Sequence, residues 1–123
     1  MIAAANETAA VHWVHACTLA DIPPWCGVAA LFGQTQVALI RWGDGSDRDS
    51  IHALGNLDPF SQAQVISRGI VGDHQGVPTI ASPVYKQRFR LADGICLDDV
   101  TVALPVYPVR VEHGDVFVGL PGH

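Results

Sequence analysis

With 123 residues, 49% of them apolar and only 15% charged, the chain has the size and composition of one globular domain around a single core, which excludes disorder over most of its length. A net charge of -5, with seven Lys and Arg and no basic run, excludes the footprint of a nucleic-acid binder. No apolar stretch approaches the roughly 20 residues of a membrane helix, and the first ten residues lack the basic flank of an export signal.

A cytoplasmic protein without membrane contact is therefore expected, with flexible tails at 1–10 and 121–123 around one domain of residues 11–120. Val11 to Val14 opens that domain as a strand. Leu19 to Pro24 follows as a turn, because two successive prolines forbid regular hydrogen bonding. Gly27 to Phe32 and Gln36 to Trp42 form a hairpin across Gly33, Gln34 and Thr35, with the glycine in the left-handed conformation of a bulged loop. Gly43 to Ser50 is polar and reads as an exposed turn, and Ile51 to Leu54 alternates as a strand.

Asn56 to Ser67 contains Asp-Pro and no strand period, so it is a loop with room for one helical turn. Gly72 to Pro78 is a further turn, Thr79 to Ser82 a brief strand, and Pro83 to Arg88 a second irregular loop. Phe89 to Leu91 and Ile95 to Leu97 flank the tight-turn pair Asp93-Gly94. Val106 to Glu112 and Val116 to Val118 flank His113-Gly114-Asp115 as a closing hairpin. Short apolar runs closed by Gly, Pro or Asp define an all-β class.

Isolated chemical motifs carry little. His12 and His15 stand three apart on a strand and point to opposite faces, so without a bulge they form no metal site with Cys17 and Cys26. Cys17, Cys26 and Cys96 lack paired spacing and are expected as reduced thiols. Cys26 beside Trp25 has no base next to it, and Cys96 reads as a small buried side chain. Asp44, Asp47 and Asp49 miss the calcium-loop spacing, and Gly43-Asp44-Gly45 is too acidic to cradle phosphate. No catalytic centre is expected in the chain itself.

The two irregular loops hold the informative words. Asn56-Leu57-Asp58-Pro59-Phe60 and Ser82-Pro83-Val84-Tyr85-Lys86 are similar to the Asn-x-Cys-Pro-His and Cys-Pro-x-His-Gly loops of the Rieske domain, and the resemblance runs from about Trp13 to Val118. It implies a Rieske-like antiparallel β-sandwich or barrel with both loops at the tip that binds a cluster in the family. The prolines keep their register while all four ligand positions change. Asp58 and Ser82 stand in place of the cysteines, Phe60 and Tyr85 in place of the histidines.

A Rieske centre needs two thiolates on one iron and two imidazoles on the other. A carboxylate and a hydroxyl are harder and weaker donors, and a phenyl ring cannot coordinate. No cofactor or metal is therefore expected here, and the rings of Phe60 and Tyr85 are expected to fill the vacated space as a plug. The 21 residues from 61 to 81 that separate Phe60 from Ser82 also exceed the usual spacing of cluster-binding loops.

A narrower resemblance lies in DPFSQAQVISRGIVGD (Asp58 to Asp73), ASPVYKQRF (Ala81 to Phe89) and LPVYPVRVEHGDVFV (Leu104 to Val118), which look like the assimilatory nitrite reductase small-subunit family. That resemblance implies a large-subunit partner that carries flavin (FAD), siroheme and an iron-sulfur cluster and reduces nitrite to ammonium with NADH or NADPH. Asp58, Phe60, Tyr85, Lys86 and Arg88 are then the expected contacts to it, with Arg90 completing a basic spot. The alternatives are a standalone Rieske-type ferredoxin, which needs the missing Cys-His pairs, and a free-standing β-domain interaction module unrelated to nitrite.

Overall fold

The structure, a computed structural model, describes residues 11–121; the expected tail at 1–10 and residues 122–123 lie outside the described residues. The strands are β1 (Val11–Thr18), β2 (Gly27–Phe32), β3 (Thr35–Trp42), β4 (Ser50–Gly55), β5 (Leu57–Asp58), β6 (Ala63–Gln64), β7 (Ile70–His74), β8 (Val77–Ala81), β9 (Arg88–Arg90), β10 (Val106–Tyr107), β11 (Val109–Glu112) and β12 (Asp115–Pro121). Two 3-10 turns, Leu19–Asp21 and Ile66–Arg68, are the only helical pieces among the described residues. No helix there is long and apolar enough to cross a membrane.

All pairings between these strands are antiparallel, in sheets ordered β1-β12-β11, β10-β4-β3-β2, β5-β6 and β7-β8-β9. The centre is β3, whose run Val37 to Arg41 is buried throughout. Because successive side chains leave a strand on opposite faces, Val37 and Leu39 pack with Ile22, Ala53, Val116 and Val118. Ala38 and Ile40 pack on the other side with Leu54, Ile66, Ile80 and Phe89. One strand thus serves two cores, and burying a side chain such as Leu39 or Ile40 contributes about 2 kcal/mol. The second core lies under the two irregular loops.

Several boundaries differ from expectation for identifiable reasons. β1 runs on to Thr18 through a register shift between His15 and Cys17. Phe32 pairs directly with Thr35, so the β2–β3 connection is the two-residue turn Gly33-Gln34 without a bulge. The turn expected over Gly72 to Pro78 contracts to Gln75-Gly76, both with positive φ (52° and 86°), and the ladder continues from His74–Val77 outward. The strand expected over Val106 to Glu112 is cut at Pro108, which has no amide to extend a ladder; β10 joins β4, while β11 joins β12. Pro121, expected in the C-terminal tail, pairs with Val11 at the end of β12.

Candidate functional site

The first loop leaves β4 at Asn56, which is buried. Its side-chain amide donates to Gln36 Oε1 and to the Gln64 carbonyl, both at 3.1 Å, and its Oδ1 accepts from the Ser67 amide at 2.8 Å. One side chain thereby fastens both ends of the loop to β3, as a buried amide requires. The second loop leaves β8 at Ser82, whose amide donates to the Gln87 carbonyl at 2.9 Å.

Both loops repeat one local pattern. Asp58 Oδ1 accepts from the Phe60 amide at 2.9 Å, and the Asp58 carbonyl accepts from the Gln62 amide at 2.8 Å. Ser82 Oγ accepts from the Val84 amide at 3.3 Å, and the Ser82 carbonyl accepts from the Lys86 amide at 3.1 Å. Gln62 and Lys86 close these turns with φ of +62° and +67°, conformations uncommon for residues other than glycine. The patterns meet where Ser82 Oγ donates to Asp58 Oδ2 at 2.6 Å, with Ser61 Oγ donating to the same oxygen at 2.9 Å.

Asp58 and Ser82 have no exposed surface. Burial pushes the Asp58 carboxyl upward, but hydrogen bonds from Ser82, the Phe60 amide and Ser61 outweigh it and hold the group below the usual carboxylate range. The site is therefore an ionised carboxylate satisfied by short hydrogen bonds.

The aromatic positions part company. Phe60 is half-buried and packs against the second core, its ring 6.2 Å from that of Phe89. Tyr85 is 61% exposed, so the expected two-ring plug is one ring and a polar contact. Leu57 and Val84, which were not expected in the site, are exposed beside them in sequence. Asp58 itself cannot offer a partner any surface.

The expected basic spot is largely neutralised. Arg88 pairs with Asp98 at 3.3 Å and also donates to His74 Nδ1 at 3.3 Å. Arg90 grips both oxygens of Asp93 at 3.1 and 2.7 Å. Lys86 Nζ donates to the Pro83 carbonyl at 3.2 Å. The Arg90–Asp93 pairing was available to sequence reasoning as two opposite charges across a tight turn; Asp98, drawn to Arg88 from ten residues away, had no such signal.

Elsewhere, His15 Nε2 meets Asp115 at 3.0 Å, and the three cysteines are free, with Cys17 half-buried, Cys26 exposed and Cys96 buried. Among the described residues no group of three His, Cys, Asp or Glu side chains is placed to hold a metal ion. Asp49 is not a solvated turn residue: it accepts from Arg41 Nε and from the Gly45 amide, each at 2.7 Å.

Residues 12–119 match the model of the Rieske-like 2Fe-2S domain family, and the chain belongs to that family. It is 44% identical over 104 residues to the nitrite reductase (NADH) small subunit of Salmonella typhimurium, covering 85% of this chain and 94% of that one. The solution structure of the nitrite reductase NAD(P)H small subunit from Erwinia carotovora superposes with a TM-score of 0.74 at 40% identity, over 90% of this chain and 83% of that one. Within the Rieske-like family, then, the chain is one of the nitrite reductase small subunits. A further relative is the nitrite reductase NAD(P)H large subunit of Klebsiella oxytoca, 46% identical over 107 residues, of which the chain spans 11%.

The family's 2Fe-2S centre does not fit the residues present. Asp58 spends its oxygens on Ser82, Ser61 and the Phe60 amide, Phe60 has no lone pair to give, and Tyr85 stands out in solvent. Thiolate and imidazole, the donors a Rieske cluster requires, are absent from all four positions.

Proposed function

We propose that this chain is a cluster-free subunit of a cytoplasmic, NADH-dependent nitrite reductase and docks by its loop tip on the large subunit. That partner holds the flavin, siroheme and iron-sulfur cluster and reduces nitrite to ammonium, while this chain contributes surface and order rather than a redox centre. The Klebsiella oxytoca relative carries the reading: a stretch 46% identical to this chain forms about a tenth of a large subunit, so in that protein the two parts share one polypeptide. A domain that is covalently joined to its neighbour in one relative is a natural partner of the same neighbour in trans.

The tip suits such a contact. Val84, Tyr85 and Lys86 are exposed on the second loop, and on the first the half-buried Phe60 packs against the core beneath the loops. Aromatic and aliphatic anchors at the centre with charge at the rim are the usual anatomy of an interface. With Arg88 and Arg90 already paired to acids, apolar contact rather than charge attraction drives the association.

Co-purification with the large subunit, followed by nitrite-dependent NADH oxidation with and without this chain, tests the reading. Association and higher turnover in its presence are expected, and Tyr85→Ala should weaken association. No association together with equal turnover would overturn it.

A further inference from the structure

Under the exposed tip a side-chain hydrogen bond joins two loops that are each also fastened to their own strands. Asn56 ties the first loop to β3 and β6, and the Ser82 amide ties the second back to Gln87. Asp58 and Ser82, 24 residues apart in sequence, span the gap between them. Each also folds its own loop: Asp58 Oδ1 holds the Phe60 amide and Ser82 Oγ holds the Val84 amide.

We propose that the Asp58–Ser82 contact is the positioning device of the tip, locking the two loops in the one arrangement in which Val84 and Tyr85 are presented to the large subunit. This inference rests on the docking role proposed above. A buried carboxylate is costly unless donors surround it; the Phe60 amide and Ser61 come from its own loop and the shortest donor, Ser82 Oγ, from the other, so the full set is made only when the loops are in register. The backbone on each side is held in left-handed turns at Gln62 and Lys86, a conformation that persists only where surrounding contacts over-determine it. Ser82 Oγ is the pivot, since it accepts from its own loop and donates to the other. Removing that one atom releases the Val84 amide and leaves Asp58 Oδ2 with Ser61 alone, without touching β3 or its two cores.

The test measures affinity of the full chain for the intact large subunit across wild type, Ser82→Ala, Ser82→Thr, Tyr85→Ala and the Ser82→Ala/Tyr85→Ala pair. Ser82→Ala should raise Kd roughly tenfold, and Ser82→Thr, which keeps the hydroxyl, should restore most of it. In the Tyr85→Ala background the Ser82 change should cost far less, because both act on one surface although Ser82 is buried beneath it.

Far-UV circular dichroism and thermal unfolding report whether each variant is folded. Should Ser82→Ala fail to fold, Asp58→Asn replaces it with the same expected loss and the same non-additivity with Tyr85→Ala. Wild-type affinity in a folded Ser82→Ala chain, or additive losses in the double variant, would overturn the positioning role and leave the docking reading standing. Failure of the wild-type chain to bind would remove both.

Discussion

Arg41 and Asp49 form an ion pair at 2.7 Å in which the two side chains keep only 9% and 4% of their surface. Arg41 ends the buried run of β3, and its Nη1 also donates to the Leu19 and Ile22 carbonyls at 3.1 and 3.0 Å. The guanidinium fork therefore ties the first 3-10 turn to the β3–β4 connection, using the planar multi-donor geometry that lysine lacks. Asp49 answers from the other side: burial pushes its carboxyl upward, and Arg41 with the Gly45 and Ser46 amides brings it below the ordinary carboxylate range.

Breaking such a pair from one side leaves the other charge without its partner, which costs more than the pair contributes. Arg41→Met should therefore lower the thermal midpoint by roughly 5–10 °C. The double change Arg41→Met/Asp49→Leu should recover part of that loss, because it leaves no orphaned charge. Calorimetry on the three chains decides it; a single variant as stable as wild type would refute the structural role.

His52 sets a pH dependence. Burial pushes its imidazole below the ordinary value, and its Nε2 lies 2.9 Å from Ser50 Oγ. The unfolded chain takes up a proton near pH 6.5 while the folded chain resists it until lower pH. The stability contributed by the neutral ring is thus fully present above about 6.5 and is lost as pH falls through the lower folded value. Thermal midpoints should fall between pH 7 and pH 5 in the wild type, and His52→Gln should flatten that part of the curve. Carboxylates such as Asp58, also lowered in the fold, add their own loss only below about pH 4.

Gly94 and Gly33 separate conformational from steric cost. Both adopt positive φ, +75° and +63°. A Cβ on Gly94 would run into the Leu104 carbonyl, whereas one on Gly33 would meet nothing within 4 Å. Gly33→Ala should cost about 1 kcal/mol for the left-handed backbone alone. Gly94→Ala should cost about 2–4 kcal/mol because overpacking adds to it. Urea unfolding of the pair measures the difference, and equal losses would contradict the close approach.

How much of this was legible follows from where the signals are local. The β2–β3 hairpin and the Asp93-Gly94 turn announced themselves through alternation and turn chemistry. Positions 58, 60, 82 and 85 announced themselves through prolines retained in register. What escaped was set by partners distant in sequence. Asp49 read as part of an exposed turn because nothing local shows that Arg41, eight residues away on β3, buries it. Tyr85 read as a filler of vacated space, but the hydrogen bond between Asp58 and Ser82 occupies the junction of the loops and leaves that ring in solvent.

The same contact governs how the chain responds to iron. Ligation at this position would have to take Asp58 from three donors and Ser82 from its two hydrogen bonds, exchanging a satisfied buried carboxylate for harder and weaker iron ligands than thiolate. It would gain nothing from Phe60, and a ligand role for Tyr85 would require an exposed ring to move inward. Incubation of the reduced chain with ferrous iron and sulfide should therefore give no visible chromophore after desalting, and exhaustive chelation should leave the thermal midpoint unchanged. Iron and acid-labile sulfide retained in stoichiometric amount, or a midpoint that drops on chelation, would mean that the two loops still hold a metal centre and that the polar contact between them is not their resting state.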